Sequence, residues 1–220
     1  MKNEVRRRLL KNGFLVGIGS FIAMMFKRLA VANPTFKVTP AEVEGPCYPV
    51  RLPRDQDYDL THITGRTGVA QGNPILIAGR VMDTEGRAIE GARVEIWQAN
   101  AAGRYLHPKD FNPAKVDPDF QGFAAVLTDA SGAFLFKTVF PGAYPASAKW
   151  VRPPHIHFKI MHKRYATLIT QMYFPAHPLN ADDLLLRAKN LEEQALMIAR
   201  KEASSGTFTR YEYTIVLANR

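Results

Sequence analysis

The sequence predicts an all-β fold, an antiparallel β-sandwich with a short helical insertion before the last strand. From residue 74 onward the chain consists mostly of short runs that are rich in β-branched and aromatic residues, and several of them alternate between apolar and polar side chains. The turn sequences DTEG at 83–86 and DASG at 129–132 separate such runs. The 220 residues suffice for one domain with a substantial core.

The first 32 residues read as an export signal. A basic start is followed by an apolar stretch at 13–26 and by the small residues Ala30-Val31-Ala32. The run VRRRLLK at 5–11 resembles a twin-arginine signal, which predicts cleavage after Ala32 and an exported or periplasmic protein. The apolar stretch is too short for a permanent membrane span. A basic amphipathic helix on the folded domain is the alternative for this segment, and a cytoplasmic location is the alternative to export.

Seven strands and one helical segment are expected beyond this signal. The segment between 180 and 202 places leucines among charged residues, which favours helix, with a break near Asn190. The strands are predicted at 75–82, 92–98, 123–127, 133–138, 155–162, 167–174 and 211–217.

Charge and cysteine content exclude several classes of protein. Residues 1–32 hold seven Lys and Arg against one Glu, so +6 of the net charge of +9 belongs to the signal and only +3 to the remainder. A mildly basic body without basic runs argues against a nucleic-acid partner. Cys47 is the single cysteine, which excludes a disulfide framework and a cysteine-rich metal site.

The run RPPHIHFKI at 152–160 contains two histidines one residue apart. In a strand, His155 and His157 share one face while Ile156 and Phe158 take the other, so two nitrogen donors converge. A metal site needs further ligands, and there is no Asp or Glu between residues 141 and 175. A two-histidine, one-carboxylate site would therefore need a carboxylate from a distant strand.

Two tyrosines can supply oxygen ligands instead. Tyr144 lies 11 residues before His155, and Tyr105 follows the second predicted strand through a short loop. A phenol has a pKa near 10, so it binds as phenolate only where a strongly charged cation displaces its proton. Ferric iron can do this, because two phenolates and a hydroxide balance its charge. Taken singly, these residues could also be core histidines and packing tyrosines.

Four motifs, in this order, resemble the intradiol ring-cleavage dioxygenases, and most of all the iron-binding β subunits of those that act on protocatechuate. They are WQANAAGRYLHP at 97–108, PGAYP at 141–145, RPPHIH at 152–157 and QMYFP at 171–175. The resemblance covers about residues 44–217. It implies that residues 33–220 form a catalytic β-sandwich domain.

The resemblance also implies roles for individual residues. Tyr105, Tyr144, His155 and His157 would bind Fe(3+) in a trigonal-bipyramidal site with hydroxide in the fifth position, and Tyr144 would leave the metal when substrate arrives. Arg152 would lie beside the bound ring, and Gln171 would line the pocket where oxygen reacts. The substrates would be O2 and a catechol, protocatechuate-like, and the product a muconate-type diacid.

This chain departs from the family pattern in places that bear on its substrate and its partners. Ala146 stands where the protocatechuate enzymes usually have tryptophan. The helical domain of the catechol enzymes is not expected, because only about a dozen residues separate Ala32 from Glu44. An oligomer is expected, either of this chain or with a related subunit. Contacts to the far end of a substrate are expected from the loop at 51–72.

Other functions remain open on the residues alone. The segment 79–94 has a pattern that recurs in transthyretin-like carrier domains, so a metal-free secreted binding module is the alternative. A zinc hydrolase would fit the two histidines but needs a further ligand and a general base. Arg152 could simply brace its loop through an ion pair, and Gln171 could cap a sheet edge.

Overall fold

The computed structural model describes residues 35–203 and 206–220. The expected export signal at residues 1–32 lies outside this range. No helix within the described residues is both long enough and apolar enough to cross a bilayer.

The described part of the chain forms ten strands and three short helical segments. The strands are β1 Pro74–Asp83, β2 Arg93–Trp97, β3 Phe123–Leu127, β4 Ala133–Val139, β5 Tyr144–Ser147, β6 Trp150–Arg152, β7 His155–Met161, β8 Leu168–Tyr173, β9 Arg200–Lys201 and β10 Thr209–Leu217. A 3₁₀ helix spans Pro178–Asp182, and the α-helices are α1 Leu184–Arg187 and α2 Leu191–Met197.

Two four-stranded sheets and one hairpin make up the architecture. The sheets have the orders β4-β1-β10-β9 and β3-β2-β7-β8, and β5 pairs with β6 in the hairpin. The predicted all-β sandwich is therefore confirmed. One pair departs from the antiparallel rule, because β1 and β10 run parallel through nine registered positions from Ile75↔Thr209 to Asp83↔Leu217.

Strands β5, β6 and β9 were not expected from the sequence. They are only two to four residues long, too short to show an alternation of apolar and polar residues. The expected break at Asn190 is present, because Asn190 caps α2. Its side chain accepts hydrogen bonds from the backbone N–H groups of Glu192 and Glu193, and the Glu193 side chain accepts from the Asn190 N–H.

The main core fills the space between the two sheets. On β7, Ile156, Phe158 and Ile160 belong to this core and are fully buried. His155 and His157 point to the other face, as the strand period requires, yet they are also buried. An arm at residues 39–49 and the loops after β2 and β4 cover that face, and there the candidate site lies.

Candidate metal centre

Strand pairing places the histidine-bearing face of β7 against two neighbouring strands that carry large side chains. His157 is registered with Trp97 on β2 and with Gln171 on β8, and His155 is registered with Tyr173. The Trp97 indole stacks on the His157 imidazole, with ring centroids 4.8 Å apart and planes inclined by 13°. The indole therefore holds the orientation of this imidazole.

The two tyrosines come from loops that are packed directly against each other. The backbone N–H of Gly142 donates to the carbonyl of Asn100 over 2.9 Å, which joins the loop before Tyr144 to the loop before Tyr105. Gly103 has φ +81°, and a Cβ there would lie 2.4 Å from the Ala143 carbonyl oxygen. Only glycine allows this backbone approach, so the spacing of the two phenols depends on it.

The structure brings together all four predicted metal ligands. The ring centroids lie 5.6 Å apart for Tyr105 and Tyr144, 5.6 Å for Tyr144 and His155, 5.0 Å for the two histidines and 6.3 Å for Tyr105 and His157. The Tyr144 hydroxyl lies 3.4 Å from His155 Nε2. Two oxygen and two nitrogen donors thus enclose one small space.

Hydrogen bonding leaves these donor atoms ready for a metal ion. His155 Nδ1 donates to the carbonyl of Pro153 over 2.7 Å, which leaves the lone pair on Nε2, the atom that faces Tyr144. Among the described residues, neither the buried Tyr105 hydroxyl nor the buried His157 Nδ1 forms a hydrogen bond of ordinary geometry, although the Tyr144 hydroxyl lies close to that of Tyr105. Such orphan groups are rare in protein interiors, and an ion that takes an oxygen ligand would satisfy the phenol.

Burial favours the neutral form of all four side chains. Burial, assisted by the charge of Arg152, lowers the pKa of His155 well below its usual value and that of His157 to about 3. Both imidazoles are therefore neutral at physiological pH, as metal ligands must be. Burial raises the pKa of Tyr105 and Tyr144, so only a strongly charged cation would convert these phenols into phenolates.

These donors fit ferric iron better than zinc. Within residues 35–203 and 206–220, no three His, Cys, Asp or Glu side chains form a metal-binding group, so a zinc hydrolase would lack its third ligand of that kind. Two phenols beside two neutral imidazoles are instead a donor set that suits a trivalent cation, because each phenolate cancels one charge.

Arg152 and Gln171 form one hydrogen-bonded group beside these ligands. The Arg152 Nη2 donates to Gln171 Oε1 over 2.7 Å and to the Tyr173 hydroxyl over 2.9 Å. Arg152 Nε donates to Asp183 Oδ2 over 2.7 Å, and both side chains are buried. Arg152 thus does form the ion pair that would brace its loop, while it also lines the cavity described next.

A cavity of about 520 Å³ opens onto the site. Its walls come from the arm at 43–47, the loop at 109–113, the β5–β6 hairpin and Leu185 of α1. Among the lining residues are Tyr105, Tyr144, Arg152, His157 and Gln171.

The loop at 51–72 contributes no residue to this cavity. Backbone hydrogen bonds of Gln56, Tyr58 and Leu60 join it to β3 and β4, while Arg51 and Pro53 line a neighbouring pocket together with Tyr105. Contact between this loop and the far end of a substrate stays a prediction.

The cavity has an aromatic side chain in its wall, although Ala146 stands where the protocatechuate enzymes usually have tryptophan. Trp150 lines the same cavity from β6, which pairs with β5 at Ser147↔Trp150. The Arg152 guanidinium lies 5.2 Å from the centroid of its ring. A one-dimensional motif comparison misses this residue, because its place depends on the register shift in the hairpin.

Other residues of the site were also not predicted from the sequence. Asp183 lies in the helical insertion, 31 residues from Arg152. The arm supplies a backbone acceptor, because Gln171 Nε2 donates to the Val43 carbonyl over 3.1 Å. No role in the site was predicted for Trp97, which stacks on His157. The signal that could have placed it in the site is that it begins the same motif that contains Tyr105.

Known proteins match this chain over the region that forms the site. A family model described as Dioxygenase matches residues 43–219. The protocatechuate 3,4-dioxygenase beta chain of Burkholderia cepacia is 40% identical over 171 residues, which cover 74% of this chain and 72% of that protein. The alpha chain from the same organism is 32% identical over 189 residues, covering 82% of this chain and 92% of that one.

Solved structures share the fold. The dioxygenase domain of a dioxygenase carbohydrate-binding protein fusion from Streptomyces sp. SirexAA-E has a TM-score of 0.63 at 26% sequence identity, and the match covers 84% of this chain and 100% of that domain. The family match includes every predicted site residue and begins in the arm that closes the cavity.

Proposed function

Because the chain belongs to the intradiol ring-cleavage dioxygenase family, we propose that it uses ferric iron to cleave a protocatechuate-like catechol with O2. The carbon–carbon bond between the two hydroxylated carbons breaks, and both oxygen atoms enter a muconate-type diacid. The observation that carries this proposal is the convergence of two phenols and two neutral imidazoles beside one cavity, whose wall includes both phenols and His157. Family membership does not favour a metal-free binding module.

Tyr105, Tyr144, His155 and His157 would hold the iron. When bound, ferric iron would accept both catechol oxygens and draw electron density from the ring, which prepares a ring carbon for O2. The Trp97 stack and the Pro153 carbonyl keep the two imidazoles in place. The surrounding burial excludes water from the donors.

Tyr144 is the residue best placed to take a proton from the incoming diol. It is less buried than Tyr105, it lines the cavity, and its hydroxyl lies 3.4 Å from His155 Nε2. As a phenolate, its oxygen would accept one catechol proton and become a neutral phenol, which its raised pKa favours. We propose that Tyr144 is thereby displaced toward the cavity.

Arg152 and Gln171 act on the ring from one side. The guanidinium is buried, lines the cavity and carries a fixed positive charge, so it would stabilise negative charge that develops on the ring and its oxygens. The amide of Gln171 holds Arg152 through its oxygen and the arm through its nitrogen, which keeps the oxygen-reaction side of the cavity closed.

The cavity favours a substrate with an anionic ring substituent. The charge of Arg152 is matched by Asp183, whereas Lys109 at the cavity wall forms no salt bridge with any carboxylate in the described part of the chain. Asp110 beside it is engaged by the backbone N–H groups of Tyr105 and Asn112. Lys109 would therefore attract the carboxylate of a protocatechuate-like catechol.

A visible spectrum tests the metal and the substrate class together. Residues 33–220 are expressed with iron, and absorption is recorded anaerobically before and after addition of protocatechuate or catechol. We expect a broad charge-transfer band that shifts with the diol and is weaker in Tyr105→Phe, which keeps only the Tyr144 phenolate. Tyr48→Phe is the matched control, since Tyr48 packs in the same cluster but bonds to Glu95. A colourless, iron-free wild type would instead favour the binding module.

Steady-state kinetics test the role of Lys109. We expect Lys109→Met to lower kcat/KM for protocatechuate by about tenfold, because a charge-assisted contact of about 1.5 kcal/mol is lost, and to leave catechol almost unaffected. Lys115→Met is the matched control, since Lys115 belongs to the same exposed loop and does not line the cavity. Equal losses for both diols would contradict this assignment.

We also propose that the chain works as an oligomer, with itself or with a related subunit. Support comes from the two relatives, which are named as the beta and alpha chains of one enzyme. Light scattering on the purified chain, alone and coexpressed with a related chain, measures the assembly mass. A monomer in both cases would contradict the proposal.

Export through the twin-arginine route is a further part of the proposal. It rests on the basic run at 5–11, the apolar stretch and the small residues before Asn33. We expect a periplasmic protein that begins at Asn33, and retention of the Arg6→Lys, Arg7→Lys double variant in the cytoplasm. N-terminal sequencing of the fractionated protein checks both results, and a cytoplasmic full-length wild type would refute export.

A further inference from the structure

We propose that Asp183, which reaches the site from the helical insertion, is a positioning residue that aims the Arg152 guanidinium at the substrate. The inference rests on the proposed function, since it concerns how that reaction is served by Arg152. Asp183 does not line the cavity, so it would act only through the arginine.

The contact between the two residues is a buried ion pair. Arg152 Nε donates to Asp183 Oδ2 over 2.7 Å, with Arg152 4% and Asp183 0% exposed. A buried guanidinium and a buried carboxylate each depend on the other for neutralisation, because neither can recover its hydration. The two side chains therefore stay paired in the buried geometry.

The second carboxylate oxygen ties this pair to the helix. Asp183 Oδ1 accepts from the backbone N–H of Leu186 over 2.9 Å, as the N-cap of α1, and from the Tyr173 hydroxyl over 3.1 Å. Leu186 packs with Tyr173 and Met197 in a separate buried cluster. The position of the carboxylate is thus set by the packing of the helical insertion on β8.

The remaining hydrogen bonds determine which edge of the guanidinium faces the substrate. Nε is taken by Asp183, and Nη2 is taken by Gln171 and Tyr173. No described residue accepts a hydrogen bond from Nη1. Since Arg152 lines the cavity, its Nη1 edge is the one left for a ligand. Without Asp183 the planar group could rotate about its side chain, and the Nη1 edge would lose its direction.

The charge of Asp183 has a second consequence for the site. Arg152 and His157 line the same cavity, so an unmatched guanidinium would repel a cation held by the histidines. The carboxylate neutralises the arginine on the side away from the cavity. The site can therefore keep a fixed positive group beside its metal ligands.

A double-mutant cycle tests the coupling. Asp183→Asn, Arg152→Gln and the double variant are compared with wild type in kcat and KM for protocatechuate, in iron content and in the thermal midpoint of the iron-free protein. We expect Asp183→Asn to keep its iron and to lose about 10- to 100-fold in kcat, the effect of a misaligned catalytic group. When Arg152→Gln is already present, Asp183→Asn should lower kcat by less than about twofold.

Asn190→Ala is the matched control for the loss of a helix cap. It removes the cap of α2 in the same insertion, does not touch the cavity, and should lower the thermal midpoint while kcat stays unchanged. If Asp183→Asn fails to fold, Asp183→Glu replaces it, because it keeps the charge and displaces the carboxylate by one methylene. We expect that variant to fold, to bind iron and to lose kcat.

Three results would overturn the inference: a kcat loss in Asp183→Asn no larger than in Asn190→Ala, additive losses with Arg152→Gln, or full activity of Asp183→Glu. Failure of the proposed function is recognised separately, because the wild type would then cleave no catechol. In that case the thermal midpoints of the iron-free cycle still decide the coupling, which is present if Asp183→Asn lowers the midpoint less in the Arg152→Gln background than alone.

Discussion

Removal of the Tyr105 hydroxyl should make the iron-free protein more stable. This hydroxyl is buried, the residue is 4% exposed, and no described residue forms a hydrogen bond of ordinary geometry with it. Burying an unpaired hydroxyl costs about 1–3 kcal/mol in proteins, and phenylalanine removes that cost while it keeps the ring packed against Tyr144 and His157. Part of the gain is offset by the small void left behind, so we expect about 1 kcal/mol.

With iron bound, the wild type should be more stable than Tyr105→Phe. A ligand that binds only the native state adds stability according to its concentration and affinity, and Tyr105→Phe lacks one of the four proposed ligands. Urea unfolding of the chelator-treated and iron-loaded proteins measures both differences. In a domain of this size, 1 kcal/mol corresponds to about 2–4 °C in Tm, which thermal melts resolve.

A nearby tyrosine provides a control of opposite sign. The Tyr48 hydroxyl donates to the buried carboxylate of Glu95 over 2.9 Å, so Tyr48→Phe should lose about 1.5 kcal/mol with or without iron. If iron-free Tyr105→Phe is less stable than wild type by 1 kcal/mol or more, the Tyr105 hydroxyl has a partner in the protein. The reasoning from an orphan ligand would then be refuted.

Two further predictions concern the loops and the turn chemistry. Gly103→Ala should cost about 2 kcal/mol or more and weaken iron retention, because its Cβ would lie 2.4 Å from the Ala143 carbonyl at φ +81°; unfolding and metal analysis check this. Burial opposes ionisation of Asp83, but hydrogen bonds from Arg87 and Glu85 outweigh it and lower its pKa. Its contribution to stability is therefore present above about pH 4, the unfolded value, and is lost as pH falls through the folded pKa, so the difference between wild type and Asp83→Asn should shrink from pH 7 to pH 3.

Strand periodicity and turn residues were sufficient to predict most of the sandwich. The seven expected strands are present with small changes at their ends, because each has an alternating or continuous apolar run long enough to read. The parallel pairing of β1 with β10 was missed, since strand direction depends on how distant segments meet. The hairpin β5–β6 was missed because Pro145 and exposed neighbours carry no strand pattern.

Local sequence determined the donor types and the face on which they lie. The period of β7 by itself requires that His155 and His157 share a face, and the lack of nearby acids leaves the tyrosines as the local oxygen donors. Tertiary structure decided which distant groups complete the site. The packing of the helical insertion places Asp183 against Arg152. Strand register stacks Trp97 on His157 and brings Trp150 into the cavity wall. These contacts join residues far apart in the chain, where no periodic pattern can encode them, because register and packing are set by the whole core at once.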